Sequence, residues 1–389
     1  MPEYDYLLVG GGMAADSAAR GIREVDSDGT IGLISSEETE PYERPFLSKV
    51  LWASSDEEGL FRDTAALGVT LHLGRQAVSI DRSSRTVRDD GGTVYRYGKL
   101  LLATGGTPRR LKGSDEGVLY YRSLAHYRRL RELTAEPDQE VLIIGGGYIG
   151  AELAAALVQA QQEVTMAFPE EGIMERLLPE DLSAFVSDYY RERGVKLLNG
   201  QLVESVVRTA AGRKLVTFTD GSTLEADVVV AGLGIIPDTR LADEAGLETA
   251  DGIRVNATLQ TSDPDIYAAG DAAAIHSGML NRWRRVEHEE NANLTGFFAG
   301  QAMAGEPQEY THLPMFYSDL FDLAFEGAGI ADSSLETVSE WDGATFGSGT
   351  IWYLEEGIPV GVIMWNRWGK LEEARERISR REPLGRDTP

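Results

Sequence analysis

The sequence predicts an α/β chain: two units of parallel strands with crossover helices, followed by an α+β segment. Three observations carry this. An apolar run at residues 141–144 leads into Gly145-x-Gly147-x-x-Gly150 and an Ala/Leu-rich stretch, 151–160. The same order recurs at residues 6–9, then Gly10-x-Gly12-x-x-Ala15 and a helical pattern to about residue 24. From residue 306 the pattern changes to alternating or apolar runs of the antiparallel kind.

Each glycine turn has a physical reading. The first Gly permits a tight turn and the second lets backbone approach a pyrophosphate. The third position lets helix and strand pack closely, and the helix N-terminus offers free N–H groups to phosphates. After the first turn a second strand, 30–34, ends near Glu37, and after the second turn the strand 163–168 ends near Glu170. An acid there can accept from a ribose. Two such units imply two dinucleotides, FAD at the first and NAD(P)H at the second.

The remaining elements follow in order. Glu40-Pro41-Tyr42-Glu43-Arg44-Pro45-Phe46-Leu47-Ser48-Lys49 reads as a rigid loop entering a short helix. Residues 53–68 read as mixed helix and loop. Residues 71–81, which contain Val78, and 86–97 read as strands, with a hairpin turn at Asp90-Gly91-Gly92. The strand 99–103 ends in Thr104-Gly105-Gly106-Thr107-Pro108-Arg109, a hinge that lets backbone lie against a flat ligand. A basic amphipathic helix is expected over 120–134 and another helix over 179–194. Strands are expected at 195–198, 202–209, 214–219 and 226–232. The last ends in Gly232-Leu233-Gly234, a second hinge. Gly270-Asp271 closes a strand and is expected to open a small-residue helix; Asp271 either accepts from a sugar hydroxyl or caps that helix. Arg285-Val286-Glu287-His288 is read as the start of a long helix ending near residue 304. Strands are expected over 315–330, 349–354 and 360–365, then a charged helix over 371–381 and a short polar tail.

Composition narrows the function classes. The 389 residues exceed one ordinary core. The net charge of −26 opposes nucleic acid and anionic lipid. No cysteine is present, which removes a redox dithiol, a thiolate nucleophile and a Cys-held cluster or zinc. The five His show no ligand spacing, so no metal is expected. No apolar run is long enough for a membrane helix, and no secretory signal is visible, so a cytoplasmic location is expected. Arg outnumbers Lys heavily, which reads either as a high-salt cytoplasm or as a GC-rich genome with a solubilising surface.

Together the motifs resemble the FAD-dependent pyridine nucleotide (disulfide) oxidoreductases, glutathione-reductase-like proteins with two Rossmann-like domains. Within them they resemble the apoptosis-inducing-factor branch and the ferredoxin-reductase-type flavoproteins. The broad class is carried by residues 10–15, 103–108, 145–152 and Gly270-Asp271. The branch is carried by residues 42–49, Phe168-Pro169-Glu170, Arg284-Arg285-Val286-Glu287-His288, Met315-Phe316-Tyr317-Ser318-Asp319-Leu320 and Asp332-Ser333-Ser334-Leu335. The resemblance implies a discontinuous FAD-binding domain (1–112 and 237–305), an NADH-binding domain (113–236) and a C-terminal α+β domain (306–389).

Carried over by resemblance, Glu37, Arg44, Lys49, Arg109 and Asp271 hold FAD, and Lys49 forms an ion pair with Glu152 beside the flavin ring. Glu170 holds the NADH ribose and disfavours NADPH. Glu287 and His288 line the nicotinamide side. Lys49, Glu152 and His288 are the implied catalytic residues. Val78, Thr104, Gly105, Tyr148, Ile149, Gly234 and Gly270 join the implied cofactor contacts, with Tyr317 standing where the family places a tryptophan. The long insertion of the animal proteins is missing between residues 335 and 351, and their basic DNA-binding surface is absent as well, so a death-promoting, DNA-associated role is not carried over.

The expectation is an NADH oxidoreductase that passes electrons from FAD to an outside acceptor: a quinone, oxygen or a redox protein. A ferredoxin or rubredoxin reductase is the alternative. The basic run Arg282-Trp283-Arg284-Arg285 is then a docking patch, against the plainer readings of a phosphate contact or a solvated turn. A third reading is an NADH-sensing interaction protein, with a long-lived reduced-flavin–NAD complex and a homodimer.

Overall fold

The computed structural model describes residues 1–54 and 57–384. Residues 55–56, inside the stretch expected to be mixed helix and loop, and 385–389 of the polar tail lie outside the described residues. The chain forms two compact units, each assembled from three separate stretches: 1–44, 57–107 and 236–315 in one, and 45–54, 108–235 and 316–384 in the other.

The first unit is built on a mostly parallel sheet. Its strands lie in the order Val69–His72, Ile31–Ile34, Glu3–Val9, Val94–Leu102, Thr86–Asp89, Ala77–Asp81, with Ile266–Ala268 added beside Val94–Leu102. The central strands are apolar throughout because both faces are covered; Leu7, Leu8, Leu33, Leu100 and Leu101 are buried completely or nearly so. The helix Met13–Val25 covers one face and packs against Glu289–Met303. A second, four-stranded sheet runs Thr249–Ala250, Gly252–Val255, Ala273–Ser277, Arg282–Arg284.

Two expectations change here. The segment after Gly270-Asp271 is a single 3-10 turn, Gly270–Ala272, and then a strand, Ala273–Ser277. Ala273, Ala274 and Ile275 pair in parallel with Ile253, Arg254 and Val255, and this ladder overrides the helix preference of alanine. The long helix begins at Glu289; His288 is its extended N-cap residue.

The second unit holds five parallel strands in the order Lys196–Asn199, Glu163–Phe168, Glu140–Ile144, Val228–Ala231, Val118–Tyr120. The helix after the glycine turn is Tyr148–Gln159. The basic helix is shorter than expected, Leu124–Leu133, because Ser123 caps it through the His126 N–H. Residues 316–384 belong to this unit. Their five-stranded antiparallel sheet has the order Met315–Leu320, Leu323–Gly329, Ile358–Trp365, Gly349–Glu355, Glu336–Trp341, and the helix Leu371–Arg380 packs on it. The Tyr353 hydroxyl donates to Leu177 O at 2.7 Å, and Ser333 N to Arg176 O at 3.1 Å.

Candidate functional site

In the first unit, Gly10 has a φ of +127°. A Cβ there would lie 2.0 Å from Ala103 O, so no side chain fits between the crossing backbones. Gly12 is the N-cap of Met13–Val25, and no side chain caps it. The first helical N–H groups are therefore offered to a ligand. Ala15 is buried against the sheet.

Beside this turn Glu37 accepts from the Tyr42 hydroxyl at 2.7 Å and from Arg44 Nη2 at 2.5 Å. The Arg44 guanidinium lies within 3.8 Å of the place a Gly12 Cβ would occupy. Burial works against its charge, but Tyr42, Glu37 and Asp271 more than offset that and raise its pKa. An uncapped helix terminus, a carboxylate and a guanidinium in one place match the phosphates and ribose of a dinucleotide. The residues fit FAD on these grounds.

Gly270 N donates to the buried Thr295 Oγ1 at 2.9 Å, which ties the Gly-Asp turn to the helix Glu289–Met303. The charge of Asp271 acts on both Arg44 and His288. His288 is held down to a pKa of about 4, mainly by burial and further by Arg284, against the pull of Asp271. It is therefore neutral at physiological pH. Glu287 is exposed and pairs with Arg285 Nη1 at 2.5 Å. Thr104 Oγ1 donates to Asp238 O at 2.6 Å, and Gly105 O accepts from Asp238 N at 3.0 Å. Val78 O accepts from Arg240 at 3.2 Å.

In the second unit Gly145 has a φ of +117°, and a Cβ there would come within 2.4 Å of Gly232 O. A Cβ on Gly150 would lie 2.0 Å from Gly145 O, which is the close strand–helix contact that the third Gly serves. Gly147 is an uncapped N-cap with open space beside it. Ile149 is exposed in the first turn of Tyr148–Gln159, and the Tyr148 ring tilts against Phe325. Arg109 N donates to Gly234 O at 2.9 Å, and the Arg109 side chain is exposed. Glu170 pairs with Arg176 at 2.5 Å.

Lys49 and Glu152 do meet. Lys49 Nζ lies 2.6 Å from Glu152 Oε1, with side chains 15% and 5% exposed. Glu152 also accepts from Ser48 Oγ at 2.6 Å and Ser318 Oγ at 2.7 Å, so both its oxygens are satisfied. Lys49 has a second carboxylate partner, Asp319, at 2.9 Å, and stands 5.0 Å from the centre of the Tyr317 ring. A buried pair survives desolvation only with such added hydrogen bonds. Ser318, Asp319 and Arg176 are the members that sequence reasoning left out, and Ser48 was noted beside Arg44 and Lys49 without a role. The first two sit inside a motif already singled out, next to the residue that was named.

Among the described residues no cluster of three His, Asp or Glu is arranged to hold a metal. None of the helices among the described residues is long and apolar enough to cross a membrane.

Residues 4–296 match the family model described as pyridine nucleotide-disulphide oxidoreductase, and residues 299–345 match the C-terminal domain of mitochondrion-associated apoptosis-inducing factor. The chain is 33% identical to "Apoptosis-inducing factor 1, mitochondrial" of Dictyostelium discoideum, over 98% of this chain and 79% of that protein. It is 36% identical to the ferredoxin–NAD(+) reductase component of the anthranilate 1,2-dioxygenase system of Burkholderia cepacia, over 87% and 85%. Its structure resembles the crystal structure of the covalent putidaredoxin reductase–putidaredoxin complex, with a TM-score of 0.91 and 30% identity over 99% of this chain and 95% of that one. Two glycine turns of dinucleotide geometry, a Lys–Glu pair and these matches agree: the chain belongs to the pyridine nucleotide-disulphide oxidoreductase family, as an FAD- and NAD(P)H-using flavoprotein oxidoreductase without redox-active cysteines.

Proposed function

We propose that this chain oxidises NADH and delivers the electrons to an acceptor outside the chain. The observation that carries the reading is Lys49, fixed by Glu152 and Asp319. When bound, FAD supplies the hydride acceptor and the exit for electrons. The chain supplies position and charge. Lys49 offers a fixed cation to a ring that becomes negative on reduction, and Glu152 with its two serine donors holds that cation in place. Glu37, Arg44 and Asp271 orient the first dinucleotide and Glu170 the second, while the neutral His288 lines the nicotinamide side without adding charge. The reading takes 1–112 and 237–305 as the FAD-binding domain, 113–236 as the NADH-binding domain and 306–389 as a C-terminal α+β domain. The resemblance further supports a homodimer. With no cysteine, no thiol of this chain relays electrons.

A ferredoxin reductase is the second reading. It is favoured by Trp283, 45% exposed on the edge strand Arg282–Arg284 with Arg254 stacked 5.0 Å from its ring. A basic, aromatic patch suits an acidic partner on a chain otherwise strongly negative.

Anaerobic NADH titration of the yellow protein tests both. NADH should bleach the flavin, and Lys49→Ala should slow bleaching by about tenfold or more with flavin retained. Rapid reoxidation by an added ferredoxin selects the second reading. Protein that stays colourless in excess FAD, or flavin that NADH never bleaches, overturns the first.

A further inference from the structure

Lys49 is answered by more negative charge than holding it requires. Its Nζ lies 2.6 Å from Glu152 Oε1 and 2.9 Å from Asp319 Oδ2, so two carboxylates share one cation and the trio is formally anionic. The two carboxylates are built differently. Glu152 is 5% exposed, and the hydroxyls of Ser318 and Ser48 donate to its two oxygens. With those bonds it holds the cation without help. Asp319 is 50% exposed and lies on the strand Met315–Leu320.

That strand explains the arrangement. Residues two apart share a face, so Tyr317 and Asp319 both meet Lys49, the centre of the Tyr317 ring lying 5.0 Å from Nζ. Ser318, between them, is fully buried and turns to Glu152. A half-exposed ion pair adds little to stability, so the contribution of Asp319 is chiefly its charge. The Lys49–Glu152 pair by itself is neutral, and Asp319 makes the cluster negative. A negative charge close to a ring that takes up electrons opposes the electron-rich state.

We propose that Asp319 sets the electron affinity of the bound flavin: by offsetting the field of Lys49 it holds that affinity down, so that the reduced flavin gives its electrons up more readily to the outside acceptor. Asp319 acts through Lys49 and is not itself a catalytic residue. The inference rests on the reading above, in which Lys49 stands beside the flavin ring.

The test is the anaerobic redox equilibrium between the flavin-loaded protein and a reference dye, read by absorbance without turnover. Asp319→Asn keeps the size of the side chain and removes its charge. It should shift the equilibrium toward reduced flavin by about tenfold, or ~30 mV for a two-electron couple. Asp319→Glu restores the charge and should return the equilibrium to within about threefold of wild type. Because Asp319 is half-exposed, the gap between wild type and Asp319→Asn should narrow as salt rises from about 0.05 M to about 1 M. Asp342 is the control. It pairs with Arg367 just after Glu336–Trp341, at the opposite edge of the same sheet, four strand spacings or about 19 Å from Met315–Leu320. Asp342→Asn should leave the equilibrium unchanged. Lys49→Gln checks the underlying placement and should shift the equilibrium toward oxidised flavin. If it does so while Asp319→Asn does nothing, the proposal is overturned and the placement of Lys49 stands. If neither variant moves the equilibrium, the placement fails and the proposal with it. Equal shifts from Asp319→Asn and Asp342→Asn also overturn it, since the effect would then belong to net charge. Should Lys49→Gln lose its flavin, Asp319→Asn and Asp319→Glu still decide.

Discussion

Glu170 carries a companion that changes what it says about coenzyme choice. A lone carboxylate at the end of the second strand repels the 2′-phosphate of NADPH, but a nearby Arg can accept that phosphate. Arg176 lies 2.5 Å from Glu170 and is 84% exposed, so this pair is weak and its guanidinium is available to a ligand. Glu170→Ala should therefore weaken NADH and narrow its advantage over NADPH, while Arg176→Ala should widen that advantage by about three- to tenfold. Steady-state kcat/KM for both coenzymes decides; a ratio unmoved by either change removes the pair from coenzyme selection. His288 makes a different prediction. Its folded pKa of about 4 lies below the ordinary 6.5, mainly through burial. As pH falls through that window the unfolded chain takes up the proton first, so stability present above 6.5 is lost on the way to 4. In His288→Asn the fall in urea midpoint between these pH values should be shallower. Parallel slopes for the two proteins would show that this imidazole is not desolvated as described.

Among the elements, the contact between Met13–Val25 and Glu289–Met303 depends on glycine in both helices. A Cβ on Gly296 would meet Ala14 O at 2.2 Å, one on Gly300 would meet Ala18 O at 2.1 Å, and one on Gly21 would meet Phe297 O at 2.1 Å. Backbone stands in the way each time, so the helices must part to admit a methyl. Gly300→Ala should cost about 1–3 kcal/mol despite the better helix propensity of alanine. Gly278→Ala, with open space around it, is the control. Denaturant unfolding of both variants checks this, and equal midpoints would refute the close approach. This crossing was not legible from the chain: the Gly residues of 289–303 read as ordinary positions in a helical stretch, because only the partner helix makes them necessary. The strand Ala273–Ser277 was hidden for a similar reason, since its small residues favour a helix until Gly252–Val255 offers a ladder.

On the scale of the whole molecule, each compact unit draws on three distant stretches of chain. Residues 316–384 bring Ser318 and Asp319 to Lys49 and Glu152, which gives the C-terminal sheet a direct part in the candidate site. The composition bears on this scale too. The charge of −26 opposes nucleic acid as a partner of the molecule as a whole.

The two glycine turns, the acids that follow them and the family itself were readable in the residues alone. A turn with positive φ, a tight strand–helix step and an open N-terminus are local demands, met by Gly or Ala at fixed positions within about ten residues. Lys49 and Glu152 were joined beforehand only by resemblance. That Ser48, Ser318 and Asp319 complete their network was decided by tertiary structure. Side chains more than a hundred residues apart converge only where packed strands and helices carry them, and no local pattern encodes that meeting.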